Sequence, residues 1–171
     1  MSEKPGEAGS APLAIRPAGP FDLTLLAELH AACFAERWDA PALASLLAMP
    51  GALAFLASGP IGRDEEPLGF VLLRAIAGEA EIISIGVRPE ARRRGIGRRL
   101  LEAALAAAAA GGAERLFLEV AADNYQALGL YLSHDFTEVG RRPNYYQRNG
   151  GGIMALVLSK PILPRQERGA R

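Results

Sequence analysis

Scarcity sets the first limits on this chain. It has one cysteine, Cys33, among 171 residues, so no internal disulfide can form, and the reducing cytoplasm is the compartment expected. Only two histidines occur. His30 stands close to Cys33, but two donors do not close a metal site and His134 lies far along the chain, so no metal is expected. Long apolar runs are also missing. The longest, "LLEAALAAAAA", contains Glu102 and falls well short of the ~20 residues a spanning helix needs, so no membrane partner is expected. The opening "MSEKPGEAGSAP" has no apolar stretch of the kind a signal peptide requires and reads as a flexible tail. Net charge is zero, which removes bulk attraction for a polyanion, and no direct nucleic-acid partner is expected. The length suits one domain, expected over residues 12–160 between tails at 1–11 and 161–171.

What is abundant is arginine in one place. Six arginines crowd residues 88–99, with Glu90 alone to offset them. Five of these, Arg92, Arg93, Arg94, Arg98 and Arg99, surround Gly95 and Gly97 at the start of an alanine-rich helical stretch. Cations at a helix N-terminus oppose its dipole by roughly 0.3–1 kcal/mol each. An anion would reverse that sign. Free N–H groups at a helix start bind phosphate, glycines let the ligand reach the backbone, and arginine adds bidentate contacts. A strand, then "RRRGIG", then a helix therefore reads as a pyrophosphate cradle. The Walker spelling is absent, since no Gly-Lys-Ser/Thr follows. Leu100 stands where the dinucleotide fingerprint wants a third small residue. No groove-reading motif or interleaved aromatics mark a nucleic-acid surface. A solvated charge run is the plain alternative.

Hydrophobic periodicity orders the rest. "LAIRPAG" reads as a strand, "FDLTLLAELHAACF" as a helix, and "DAPALASLLAMPG" as a second helix capped by Asp39. "ALAFLAS" and "PLGFVLLRAI" read as strands parted by a turn-rich "GPIGRDEE". "EAEIISIGVRP" is a further strand before the alanine-rich helix that Gly111 and Gly112 end. Then come the strand "RLFLEVA", the helix "NYQALGLYLSHD", the strand "FTEVGRR", a loop "PNYYQRNGG" and a last strand "GIMALVLSK". Mixed hairpin and helix-linked strands predict an α/β layer with a mixed sheet.

Residues 85–97 resemble motif A of the GNAT N-acetyltransferases, Q/R-x-x-G-x-G/A, here Arg92, Gly95 and Gly97. The stretch "LFLEVAADNYQALGLYLSHDFTEVGRRPNYYQRNGGGIMAL" is similar to the strand, helix and C-terminal region of the RimI-type subfamily, which acetylates the N-terminal alanine of a small-subunit ribosomal protein. "CFAERW" is similar to that family's substrate-side Phe and Trp loop. The resemblance covers residues 12–160 and is strongest in the second half. It implies the GNAT fold, a mixed and mostly antiparallel sheet of about six to seven strands flanked by about four helices. It implies acetyl-CoA as the acetyl donor and a protein N-terminus, that of a ribosomal protein, as the acceptor. By the same resemblance Ile85, Gly86 and Val87 offer backbone N–H to the thioester, with a bulge at Gly86. Arg92, Arg93, Arg94, Gly95, Ile96, Gly97 and Arg98 hold the pyrophosphate, and Asn124 contacts the cofactor arm. Glu119 is the general base, and Tyr131 protonates the departing thiolate. Phe34, Trp38, Tyr145 and Tyr146 join Glu119 around the acceptor.

Each residue has a plainer reading. Glu119 alone reads as a strand carboxylate paired with a nearby arginine. Tyr131 reads as an amphipathic rim residue, Asn124 or Asp123 as an N-cap, and Tyr145 with Tyr146 as strand-end packing. One departure from the family stands out: Asp135 occupies the helix-ending position usually held by glycine, which requires positive φ. His134 reads as a partner of that helix end. Acetyl transfer to a lysine, polyamine or small amine, and a non-catalytic arginine patch binding nucleic acid or ribosome, are the competing functions. The sequence leaves the oligomeric state open.

Overall fold

Alternating side chains give the sheet two apolar faces, and different helices bury each. In the computed structural model, which describes residues 12–61, 64–148 and 150–162, seven strands form one sheet. They are β1 (Ala14–Pro17), β2 (Ala52–Ile61), β3 (Asp64–Ile76), β4 (Glu79–Val87), β5 (Arg115–Ala121), β6 (Thr137–Arg148) and β7 (Gly151–Pro161), in the order β1-β2-β3-β4-β5-β7-β6. Every pairing is antiparallel except β4 with β5. Helix α1 (Leu23–Cys33) and α2 (Ala40–Leu47) lie between β1 and β2, α3 (Ile96–Ala110) crosses from β4 to β5, and α4 (Tyr125–Leu132) joins β5 to β6. A parallel pair needs such a helical crossover.

Leu100, Leu101, Ala104 and Ala108 of α3, with Tyr131 of α4, pack on Val71, Leu73, Leu116, Leu118 and Val120. Leu26 and Leu29 of α1 and Leu43 of α2 pack on the opposite face, against Ala54, Leu56, Phe70 and Leu72. With period two along β5, Leu116, Leu118 and Val120 take one face, so Glu119 projects from the other, where it is half-buried. Among the described residues no helix is long and apolar enough to cross a membrane.

Helix ends follow local chemistry. Asp39 Oδ1 accepts the Ala42 N–H at 2.9 Å and Asn124 Oδ1 accepts the Ala127 N–H at 3.2 Å, each meeting a donor the first turn leaves free. Asp135 takes φ +62° at the end of α4. That turn lets the Phe136 N–H reach Tyr131 O at 3.1 Å, and Lys160 Nζ donates to His134 O at 2.6 Å. His134 Nδ1 lies 3.0 Å from Leu130 O, so this ring serves the helix end.

Three boundaries differ from the sequence expectation. "GPIGRDEE" is mostly strand, because β2 runs to Ile61 and β3 begins at Asp64. Its prolines and glycines read as breakers. An extra residue, Leu68, between the pairs Ala57↔Gly69 and Ser58↔Pro67 carries the ladder past them as a bulge. "PNYYQR" likewise belongs to β6, where two more residues than on β7 fit between Arg142↔Ala155 and Tyr146↔Ile153. Asn144, at φ +54°, makes that excursion and packs on Gly152, where an added Cβ would lie 2.7 Å from Asn144 Cβ. At the C-terminus β7 runs to Pro161, and buried Ile162 donates its N–H to Glu114 O at 2.7 Å, so the ordered chain passes the expected boundary at residue 160. The expected tail at 1–11, and 163–171 of the C-terminal one, lie outside the described residues.

The left-handed turn at Asp135 gives a direct check. Its side chain is 90% exposed, so its ion pair with Lys160 adds little. The backbone conformation costs a non-glycine residue about 1 kcal/mol. Asp135→Gly should raise the thermal midpoint by about 2–4 °C and Asp135→Val should lower it, as read by calorimetry.

Candidate functional site

Strands β4 and β5 pair from Glu79↔Arg115 to Ile82↔Leu118, yet β4 continues to Val87 and β5 to Ala121. The separation has a local cause. Against β3, the pairs Leu73↔Ile82 and Leu72↔Ser84 leave Ile83 as an extra residue in β4, at the point where pairing with β5 ends. A bulge bends and twists its strand. Beyond it, residues 84–87 have no strand partner on the β5 side, and a wedge opens between the two strands.

The bulge therefore sits at Ile83, and the expectation at Gly86 is corrected. Gly86 pairs in register with Phe70. Its missing side chain serves a different need: an added Cβ would lie 2.9 Å from Cys33 Sγ and 3.0 Å from Phe70 Cε1. Glycine there lets α1 close against β4.

At the tip of β4 the chain makes a short 3-10 turn, Pro89–Ala91, before α3 begins. Arg93 (φ +64°) and Gly95 (φ +75°) both adopt left-handed conformations. The Arg99 N–H reaches Gly95 O at 3.2 Å, while the amides of Arg93, Arg94, Gly95, Ile96, Gly97 and Arg98 find no acceptor among the described residues. Such a run of open amides is an anion-binding concavity. An added Cβ at Gly95 would meet nothing within 4 Å, and at Gly97 the nearest atom would be Leu130 Cδ2 at 3.5 Å. The space above Gly95 is open, and a Cβ at Gly97 would sit in ordinary van der Waals contact.

Most of the surrounding arginines are anchored to the protein. Arg92 donates to Val87 O (3.1 Å), Arg94 to Pro60 O (3.0 Å) and Arg99 to Leu13 O (2.6 Å), while Arg98 pairs with Glu102 at 2.9 Å. Arg93 has no such partner among the described residues. Carbonyl oxygens and one glutamate thus absorb much of the cation crowding.

The two candidate reacting groups sit on either side of the sheet. Glu119 Oε1 lies 2.9 Å from Arg142 Nε, with the carboxylate side chain 18% exposed. The pairing that the plainer reading expects is present, and it lies in a cleft of about 300 Å³ lined also by Arg74, Glu81 and Phe117. The Arg142 guanidinium lies 5.6 Å from the centre of the Tyr145 ring, which meets Tyr146 edge-on at 5.1 Å. Tyr131 is 5% exposed, its ring 5.8 Å from Phe136. Burial, with a smaller contribution from Tyr146, holds its phenol above the ordinary tyrosine range. It stays a neutral hydrogen-bond donor across the working pH range.

Phe34 and Trp38 gather around His30. The indole stacks on the imidazole at 4.5 Å and 15°, Phe34 lies 4.8 Å away, and Phe70 closes the cluster at 5.8 Å. Phe70 is opposite Gly86, so this cluster adjoins the free end of β4. Asn124 spends its carbonyl oxygen on the α4 cap, which leaves its amide N–H groups for other partners. Sequence reasoning did not single out Arg142 or the contacts of His30. Both depend on tertiary contacts, across strands for Arg142 and across a folded-back loop for His30, and no local pattern announces them.

Open amides at a helix start that follows a strand are in keeping with the cradle that the motif A resemblance implies, and residues 23–136 match the profile of the acetyltransferase (GNAT) family. The chain belongs to the GNAT acetyltransferase family. Among curated relatives of this GNAT enzyme, the [ribosomal protein bS18]-alanine N-acetyltransferase of Salmonella typhimurium is 36% identical over 99 residues, 58% of this chain and 67% of that protein. The Escherichia coli protein of the same name is 37% identical over 93 residues, 54% of this chain and 63% of that one, so the match spans a little under two thirds of its length. The crystal structure of the ribosomal-protein-S18-alanine N-acetyltransferase from Escherichia coli superposes with a TM-score of 0.79 at 28% identity, covering 93% of this chain and 99% of that one. Arabidopsis thaliana NAA60, solved with acetyl-CoA, shares the fold with a TM-score of 0.76 at 22% identity over 88% of this chain and 99% of that one.

The glycines of the GNAT site differ in what holds them. Gly86→Ala should destabilise by about 1–3 kcal/mol through overpacking against Cys33 and Phe70. Gly97→Ala should be neutral or stabilising by up to ~1 kcal/mol, as helix propensity predicts. Chemical denaturation of both variants checks the contrast.

Proposed function

We propose that this enzyme transfers the acetyl group of acetyl-CoA to a protein N-terminal α-amine, that of the N-terminal alanine of a small-subunit ribosomal protein. The observation that carries the reading is the wedge past Ile82 and Leu118, with an unpaired strand edge, a run of open amides and a half-buried carboxylate along its rim. The relatives named for alanine acetylation support the choice of acceptor.

The amides of Arg93, Arg94, Gly95, Ile96, Gly97 and Arg98 take the pyrophosphate, and the side chain of Arg93 is available to its oxygens. The arm runs back along the unpaired edge of β4, where the N–H groups of Ile85 or Val87 meet the thioester oxygen, that of Gly86 facing β3 as the Arg88 N–H does toward Leu68 O, and Asn124 offers its amide to the same arm. Phe34, Trp38, Tyr145 and Tyr146 line the acceptor side. Glu119 draws the proton from the α-ammonium, directly or through water. The amine nitrogen then bonds to the carbonyl carbon as the C–S bond breaks, Tyr131 gives its proton to the departing sulfur, and the second proton shed by the new amide nitrogen returns the phenolate to phenol through solvent. An α-amine titrates near ~7.7–8, a lysine near ~10.4, so a carboxylate base suits the first far better. The raised phenol makes Tyr131 a reluctant acid, which donates only as negative charge builds on sulfur.

Glu119→Gln and Tyr131→Phe should each lower turnover of an alanine-starting peptide by about 10²–10⁴. Both should still show the acetyl-CoA thermal shift, equivalent to ~2.7 kcal/mol at a hundred times the dissociation constant. Gly97→Ala should lose that shift although it folds well. Unchanged turnover in both charge and phenol variants would overturn the assigned roles, and a preference for lysine over peptide α-amines would overturn the acceptor.

A further inference from the structure

His30 is 3% exposed and takes no part in the chemistry above. It grips both ends of the segment that links α1 to α2. Its carbonyl accepts the Phe34 N–H at 2.9 Å, and its ring Nδ1 accepts the Trp38 N–H at 3.4 Å. The same ring stacks on the Trp38 indole and touches Phe34 and Phe70. Between these two bonds residues 35–37 are exposed. Phe70 is the cross-strand partner of Gly86, so one imidazole ties this loop to the free end of β4.

We propose that His30 is a positioning residue for the acceptor: its neutral imidazole holds the Phe34 and Trp38 side chains in the one arrangement that receives the incoming peptide. The inference rests on the reading that this loop forms the acceptor wall. Accepting the Trp38 N–H requires an unprotonated Nδ1, which places the ring proton on Nε2. Burial keeps the ring neutral by pushing its pKa below the ordinary value, against an opposing pull from Glu36 of the loop. The other titratable groups nearby are the Cys33 thiol on α1, itself raised by burial, and Arg88, Glu90 and Arg92 beyond it. From β3 and β4 the cluster meets Phe70 and Gly86, which carry no charge. Protonation would remove the acceptor for the Trp38 N–H and free the loop backbone at acid pH, while cation–π attraction keeps the imidazolium against the indole.

Trp38 is the only tryptophan in the chain, so its emission reports this contact alone. An imidazolium stacked on an indole quenches it. Emission of the full-length protein should fall on acidification with a midpoint below ~6.5, the ordinary histidine value, and that transition should vanish in His30→Phe. In steady-state assays His30→Phe should raise KM for an alanine-starting peptide about tenfold, the scale of one buried hydrogen bond, with kcat and the acetyl-CoA thermal shift unchanged. His30→Asn, which keeps an acceptor near the Trp38 amide, should recover part of the peptide KM and lack the emission transition. No wild-type emission transition, or a peptide KM unchanged in both variants, overturns the proposal. If the wild-type enzyme acetylates a different amine, the N-terminal assignment fails, and the KM for that amine decides the role of His30.

Discussion

Past Ile82 and Leu118 two neighbouring strands stop exchanging hydrogen bonds, and the chain leaves a row of backbone donors and acceptors open inside a sheet. Buried and unmet, such groups would each cost about 1–3 kcal/mol. They persist because the gap opens toward solvent, and because one extra residue, Ile83, turns β4 aside. The separation is therefore built into the register of the sheet. It does not depend on a mobile loop, and a ligand that supplies the missing partners gains directional hydrogen bonds from a frame already in place.

The start of α3 extends the same logic from strand edge to helix end. Arg93 and Gly95 both take left-handed conformations, which turn successive amides toward one side. Arginines gathered around a positive helix pole would repel one another, yet most clamp onto carbonyl oxygens of Leu13, β2 and β4 or onto Glu102. They brace the turn as much as they charge it. What faces outward is mainly backbone N–H, a neutral but strongly directional donor set, joined by the uncommitted side chain of Arg93. An overall charge of zero is compatible with that arrangement because the attraction is short-ranged and local.

Much of this was legible in the sequence where the signal is local. The cradle could be read because strand tip, glycines and helix start are contiguous in residues 85–97, and the Asp39 and Asn124 caps follow from single residues at helix starts. Asp135 was recognisable as a helix end, and it takes the positive φ that position demands. Turn chemistry misled at "GPIGRDEE" and "PNYYQR". Bulges at Leu68 and around Asn144 let proline and glycine sit inside long hairpins, and the pairing that permits this lies on the partner strand. The Gly86 bulge was misplaced for the same reason, since the register of β3 against β4 fixes it. Glu119 with Arg142, and His30 with Trp38, were out of reach of any periodicity argument, because each pair meets only once the sheet or the helix-loop turn has closed.

If the wedge holds the acyl arm, its amides must become shielded when acetyl-CoA binds. Residue-resolved amide hydrogen exchange, with and without saturating acetyl-CoA, tests this most directly. Slowed exchange confined to residues 85, 87 and 93–98 is the expected result. Protection that spares those amides and falls instead on the apolar cavity walled by Pro17, Leu23, Leu47 and Phe55 would contradict the account.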